Sequence, residues 1–368
     1  MKYIVGAHDE NDLDYQGWEI RPEGIGHNPD HTGGTDYSGA RHTVIARLND
    51  GYPPTIPAPV YYPQFAQRCA NFVRNSRGCT RWRWIIGNEP NHHGEIGSGP
   101  PITPTLYAQC YTLCRSAIRR LPGHEQDEVI VAAPAPYNNQ TAYPGNESGD
   151  WVRYWVDILA ACGTVDGVSL HAYSSNQEPA IITSNARMGR PGEPFAHLSS
   201  EFHTYHDFLL AMPKRFWNIP IYITEANPGA RGVPWRNEDT GWCNAALDDV
   251  ARWNAEHPER AVRCLAFYSW ELRGDRMGFR NKQGVVNDIL RAAARGVTWP
   301  DVPVEPEPPE PPEPGPDPEP TECLYDVDEI RRVVREELAE VKAQIAELRG
   351  VVSEEVKRQL DKTVLKVQ

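Results

Sequence analysis

Residues 83–90 read Arg-Trp-Ile-Ile-Gly-Asn-Glu-Pro, a short apolar run that stops on Asn88, Glu89 and Pro90. Bulky β-branched and aromatic side chains in an unbroken run suit a strand buried on both faces, as in a parallel sheet. Proline cannot extend the ladder, so the strand must end there, with a polar pair at its C-terminal tip. The same grammar recurs at 220–225, Pro-Ile-Tyr-Ile-Thr-Glu. Working outward, similar runs predict strands at 2–7 (KYIVGA), 18–20 (WEI), 43–48 (TVIARL), 128–133 (EVIVAA), 166–171 (DGVSLH) and 263–269 (RCLAFYS). Amphipathic stretches predict helices near 63–76, 104–120, 150–161, 198–212, 240–256 and 284–295, and a first helix would have to fit within 9–17. Eight strands alternating with helices over residues 1–300 predict an α/β fold, the (β/α)8 TIM barrel. A doubly wound open sheet is the alternative. It would carry a glycine-rich phosphate turn after its first strand, and Gly6-Ala7-His8-Asp9-Glu10-Asn11 is not one.

Composition changes sharply after Pro300. Residues 303–320 are almost wholly proline and acidic residues, so 301–322 is predicted to be an extended Pro/Glu-rich linker of roughly 55 Å. Beyond it, within 323–368, apolar residues recur three or four apart from Val327 to Val356, and Leu338, Ile345 and Val352 stand seven apart. This predicts a coiled-coil helix that makes the chain a homo-oligomer through residues 325–368. A marginal solvated helix is the rival reading, because Gly350 interrupts the pattern.

The net charge of −13 argues against a nucleic-acid partner, and hydrophobic residues at 40% allow a sizeable core. No apolar run is long enough to span a membrane. The N-terminus reads as a first strand rather than a signal peptide. That leaves a cytosolic protein, one whose leader was removed, or one exported by another route, with an extracellular or virion-surface location favoured. The eight cysteines form no Cys-x-x-Cys pair. Buried free thiols are expected, with Cys69–Cys79 and Cys110–Cys114 as the possible bridges.

In a TIM barrel the C-terminal strand tips line the active site. Here those tips carry Arg47-Leu48-Asn49, Asn88-Glu89-Pro90, His171-Ala172-Tyr173, Thr224-Glu225 and Ser269-Trp270-Glu271. Two carboxylates at one barrel mouth suit glycosidic cleavage, one protonated to donate to the leaving oxygen and one ionised to attack the anomeric carbon. Arg47 would keep the nucleophile charged, Trp270 offers a face for a sugar ring, and Asn88 offers an amide for a ring hydroxyl.

WIIGNEP followed by IYITE resembles glycoside hydrolase clan A, the "4/7" group of retaining TIM-barrel enzymes. The resemblance covers residues 1–300. It implies Glu89 as general acid/base and Glu225 as nucleophile, with Arg47, Asn88, His171, Tyr173 and Trp270 as substrate-binding or supporting residues. The two glutamates lie 136 residues apart, the span of three βα units. The expected activity is retaining β-glycoside hydrolysis of a poly- or oligosaccharide by double displacement, displayed on a stalk, with no metal or organic cofactor. The competing reading is a non-catalytic glycan-binding barrel, an adhesin or virion surface protein.

Other features carry weaker expectations. Asn91-His92-His93-Gly94-Glu95 reads as a loop lip. His203 and His206 read as surface residues of a helix. One of Trp18, Trp235 and Trp242 is expected as a sugar platform, with the others in the core. His8 and Asp9 are candidates for the pocket wall. The long connection 174–197 is expected to shape the cleft, and 226–239 is a second long loop.

Overall fold

The computed structural model describes residues 2–300 apart from 27–32, 80–81, 231 and 272–275. The predicted linker 301–322 and coiled-coil segment 323–368 lie outside the described residues. Eight parallel strands close into a barrel in chain order: β1 (Val5–His8), β2 (Trp18–Gly24), β3 (Thr43–Asn49), β4 (Arg83–Ile86), β5 (Glu128–Val131), β6 (Gly167–Tyr173), β7 (Ile221–Asn227) and β8 (Val262–Phe267). Closure is made by β8 on β1, with Val5 opposite Leu265 and Ala7 opposite Phe267. Every residue of β1, β4, β5 and β7 is buried, which is why these strands read as continuous apolar runs rather than alternating ones.

The strands stand where the sequence placed them, but their ends move. β1 starts only at Val5, because Ile4 N–H donates to Val297 O (3.1 Å) and Tyr3 bridges Thr298, tying these residues to the segment around 297–298. β2 runs on to Gly24, held residue for residue against β3 as far as Asn49. Between β6 and β7 the register shifts: Leu170 faces Ile223, but His171 faces Glu225. The additional residue, Thr224, is a bulge that brings His171 level with Glu225.

Among the described residues the α-helices are α1 (Tyr62–Asn75), α2 (His93–Ile96), α3 (Pro104–Arg119), α4 (Trp151–Cys162), α5 (Thr204–Ala211), α6 (Trp242–Glu256) and α7 (Gln283–Ala294). Their starts follow from local chemistry. Asp150 caps α4 by accepting from Val152 N–H (2.8 Å) and Arg153 N–H (3.0 Å), and Thr103 followed by Pro104 opens α3.

Two helix expectations are corrected. No helix occupies 9–17: Asp9 takes φ +78°, and the Asn11 side chain donates to Asp9 O (3.2 Å) and accepts from Leu13 N–H (3.3 Å). Backbone groups tied into that turn are lost to a helix. The helix expected over 198–212 begins only at Thr204. Leu198 O accepts from Met188 N–H, Ser200 N–H donates to Ala186 O, and Ser199 N–H is taken by Asp207 Oδ2 (2.6 Å). The one-turn helix α2 carried no sequence signal.

Trp18, Trp235 and Trp242 are all core residues, at most 3% exposed, so none is a sugar platform. The seven described thiols are free, as expected, and neither Cys69–Cys79 nor Cys110–Cys114 forms a bridge. Burial pushes the Cys69 and Cys114 thiols up. Among the described residues no helix is long and apolar enough to cross a membrane.

Candidate active site

The strand tips surround a cavity of ≈ 800 Å³ whose wall includes Arg47, Asn88, Glu89, Tyr173, Glu225 and Asn227. That volume is typical of a small-molecule site. A smaller recess of ≈ 280 Å³, walled by Pro53, Pro54, Ile56, Pro100, Pro101 and neighbours, contains no carboxylate, histidine or cation and has no chemistry to offer.

The chain leaves β4 through Gly87 at φ +79°, where a Cβ would come within 3.0 Å of the Ile56 side chain. Two residues later Glu89 itself takes φ +37°, a conformation non-glycine residues rarely adopt. Backbone hydrogen bonds hold it there, from Glu89 N–H to Ala133 O (3.0 Å) and from His92 N–H to Glu89 O (2.8 Å). Strain held by its surroundings in this way marks a side chain whose aim matters.

Glu225 lies at the tip of β7. Its Oε1 accepts from Arg47 Nη1 at 2.6 Å and its Oε2 from the Tyr173 hydroxyl at 2.9 Å. Arg47 Nη1 also reaches Asn88 Oδ1 at 2.7 Å, so one guanidinium from β3 joins the tips of β4 and β7. The Nε2 atoms of His8 and His171 stand 3.5 and 3.7 Å from Glu225 Oε1. Burial alone would raise the Glu225 carboxyl. Positive charge at His171, Arg47 and His8, with the Arg47 hydrogen bond, overrides it and holds the carboxyl well below the usual range. Of these charges Arg47 is the permanent one, since burial holds His8 itself toward the neutral form.

Glu89 faces Glu225 across Tyr173. Its Oε1 lies 2.7 Å from His171 Nδ1 and 3.4 Å from the Tyr173 hydroxyl. The same hydroxyl is 2.9 Å from Glu225 Oε2. One hydroxyl therefore lies within reach of both carboxyls, which sets the two acids beside each other at one end of the barrel. Tyr173 is half-buried; desolvation of its hydroxyl, then the two carboxylates, pushes the phenol far up, so it acts as a donor.

Six of the seven predicted residues thus meet: Glu89, Glu225, Arg47, Asn88, His171 and Tyr173. Trp270 does not. β8 ends at Phe267, so Tyr268 lines the cavity, while the Trp270 ring is buried edge-on against Phe279 at 5.9 Å. Of the wall candidates, His8 belongs to the site, and Asp9 supports it from behind, its Oδ1 3.0 Å from His8 Nδ1. No residue of 174–197 lines the cavity; Gln177 instead ties that loop to 236–240 through Arg236 N–H (2.7 Å) and Glu238 O (3.1 Å). From the second loop, Asn227 and Gly229 reach the wall.

The segment read as a loop lip contributes a buried acid to the cavity wall, Glu95. Thr55 N–H donates to Glu95 O (2.7 Å), which draws α2 inward and buries the Glu95 side chain in the cavity wall. Its Oε2 has no hydrogen-bond partner. Burial, then the charge on Glu89, with Arg47 opposing, pushes its carboxyl from 4.5 up to about 8. The folded state therefore keeps a proton that the unfolded chain releases above about pH 4.5, and stability is lost as pH rises from there towards 8. Glu95→Gln keeps the shape without the charge. It is expected to be more stable than the parent at pH 8 by at least about 1 kcal/mol, an advantage that vanishes near pH 4.5. Denaturant melts at the two pH values check this, and an equal difference at both would show that Glu95 is not a buried acid.

No family model matches the sequence, and no curated protein sequence matches it. Among solved structures the chain is similar to a glycoside hydrolase family 128 (subgroup II) endo-β-1,3-glucanase from Sorangium cellulosum, at 13% identity over 80% of this chain and 99% of that one, with a TM-score of 0.44. It is likewise similar to an endo-β-1,4-glucanase from Xanthomonas axonopodis pv. citri, at 12% identity over 80% and 100% of the two chains, with a TM-score of 0.46. A third is the catalytic domain of the family 26 endo-β-1,4-mannanase of Bacillus sp. JAMB-750, at 12% identity over 69% and 66%, with a TM-score of 0.43.

Proposed function

We propose that the protein is a retaining β-glycoside hydrolase that cleaves a poly- or oligosaccharide by double displacement. The observation that carries this reading is the Tyr173 hydroxyl in reach of both Glu89 and Glu225, which pairs the two carboxyls at one barrel mouth as double displacement requires. Glu225, kept ionised beside Arg47, attacks the anomeric carbon while Glu89 gives its proton to the leaving oxygen. The glycosidic bond breaks and an ester to Glu225 forms. Glu89, now a carboxylate, takes a proton from water as that water attacks the same carbon, which frees Glu225 and restores the starting configuration. His171 and Tyr173 hold the two acids at fixed separation.

Tyr52, 76% exposed on the cavity rim, and Tyr268 on its wall supply the sugar-facing surfaces that Trp270 does not. Residues 301–368, beyond the described part, are proposed as the stalk and oligomerisation segment, and a monomeric mass for the full chain in sedimentation would remove that element. The hydrolase reading is tested by screening aryl β-glycosides and β-linked polysaccharides and following the first-formed anomer of the product by NMR. A β anomer appearing before mutarotation is expected. An α anomer as first product refutes the double displacement. Glycan binding with no cleavage of any substrate gives the site to a binding protein instead.

A further inference from the structure

His203 and His206, expected on a helix surface, are half-buried and share one partner. His203 caps α5 and His206 lies in its first turn, and their rings stack at 4.2 Å, nearly parallel. Both turn Nε2 towards Asp249, midway along α6: His203 Nε2 is 3.1 Å from Oδ1 and His206 Nε2 is 3.5 Å from Oδ2. One potential ligand atom from each of the three residues lies within 4.8 Å of the others. Asp249 is buried, its Oδ2 accepting from the Tyr205 hydroxyl at 2.8 Å. His206 Nε2 is buried and makes no hydrogen bond.

Two imidazole nitrogens and a buried carboxylate thus converge on one point, and one of those nitrogens, His206 Nε2, is a buried polar atom without a hydrogen bond. Arg252 Nη1, 3.2 Å from Asp249 Oδ1, approaches the same carboxylate. One divalent ion would engage all three donors. Two imidazole nitrogens and a carboxylate oxygen at about 2.0–2.2 Å from a tetrahedral ion stand roughly 3.3 Å from one another, a spacing that small side-chain rotations reach from donors lying within 4.8 Å. We propose that His203, His206 and Asp249 form a binding site for a borderline divalent transition-metal ion, Zn²⁺ above all. Imidazole donors disfavour Ca²⁺ and Mg²⁺. The Tyr205 hydroxyl orients the carboxylate from the outer shell.

None of the three residues lines the cavity, so the site does not depend on the proposed hydrolysis. It joins the helices on either side of β7, the strand that carries Glu225, and acts as a clip between them. Three protein ligands leave a fourth position for water, on the side where the His203 and His206 side chains are 15% and 25% exposed.

The test is calorimetric titration of the chelator-treated full chain with ZnCl₂, beside Co²⁺ absorption as a reporter of tetrahedral geometry. One ion per chain is expected, with a melting midpoint that climbs with Zn²⁺ concentration. His206→Gln and, separately, His203→Gln should lose that ion and that climb while keeping the parent circular dichroism. Arg252→Gln, which removes a competing cation, should bind about two- to fivefold tighter. A parent chain that takes up no Zn²⁺ at micromolar concentration overturns the proposal. So does stoichiometry and melting behaviour unchanged in both histidine variants, since the chain has 12 histidines that could bind the ion elsewhere.

Discussion

Glu225→Gln is expected to lower kcat on any cleavable β-glycoside by about 10⁴-fold or more, because no neighbouring group can replace the covalent intermediate. The glutamine still fills the space but cannot attack. It also leaves the buried Arg47 without its counter-charge, which costs on the order of 3 kcal/mol. Activity must therefore be measured on protein shown to be folded by circular dichroism. Glu225→Ala opens room for an external nucleophile. With azide it should give an α-glycosyl azide, since azide enters from the face the carboxylate occupied, opposite the leaving group. Near-parent turnover in Glu225→Gln would end the nucleophile assignment.

Glu89→Ala divides the two chemical steps. Without the acid, substrates with poor leaving groups should slow by about 10²–10⁴-fold, while aryl glycosides whose leaving groups need no proton still form the glycosyl–enzyme. Release of that intermediate then becomes slow, for want of a base. Azide needs no base, so it should restore turnover and yield a β-glycosyl azide, the opposite anomer to that from Glu225→Ala. Equal loss on all leaving groups, with no azide product, would make Glu89 a binding residue. The paired stereochemistry separates the roles of two residues that a single loss of activity would leave alike.

Much of the site was legible because strands of a closed parallel barrel are buried on both faces, so each announces itself as an apolar run and each tip as the first polar residues after it. Arg47, Asn88, Glu89, His171, Tyr173 and Glu225 were all readable in that way. Trp270 failed by two residues at the end of β8, where FYSW gives no local signal for stopping at Phe267. Glu95 failed for another reason. His92 to Ile96 looks like a polar loop, and only the hydrogen bond from Thr55, some 40 residues earlier, folds it inward. His203 and His206 looked like surface residues because their partner, Asp249, belongs to another helix.

The amino-acid sequence alone determined the barrel, the order of its strands and which chemical groups stand at their tips, since strand runs, caps and turn residues act over a few neighbouring positions. Tertiary structure decided which groups face each other and in what charge state. The bulge at Thr224 sets His171 level with Glu225. Arg47 holds one carboxyl ionised, and burial holds another, Glu95, protonated. Desolvation and Coulomb interaction depend on distances through space, and those exist only once distant segments have closed around the same cavity.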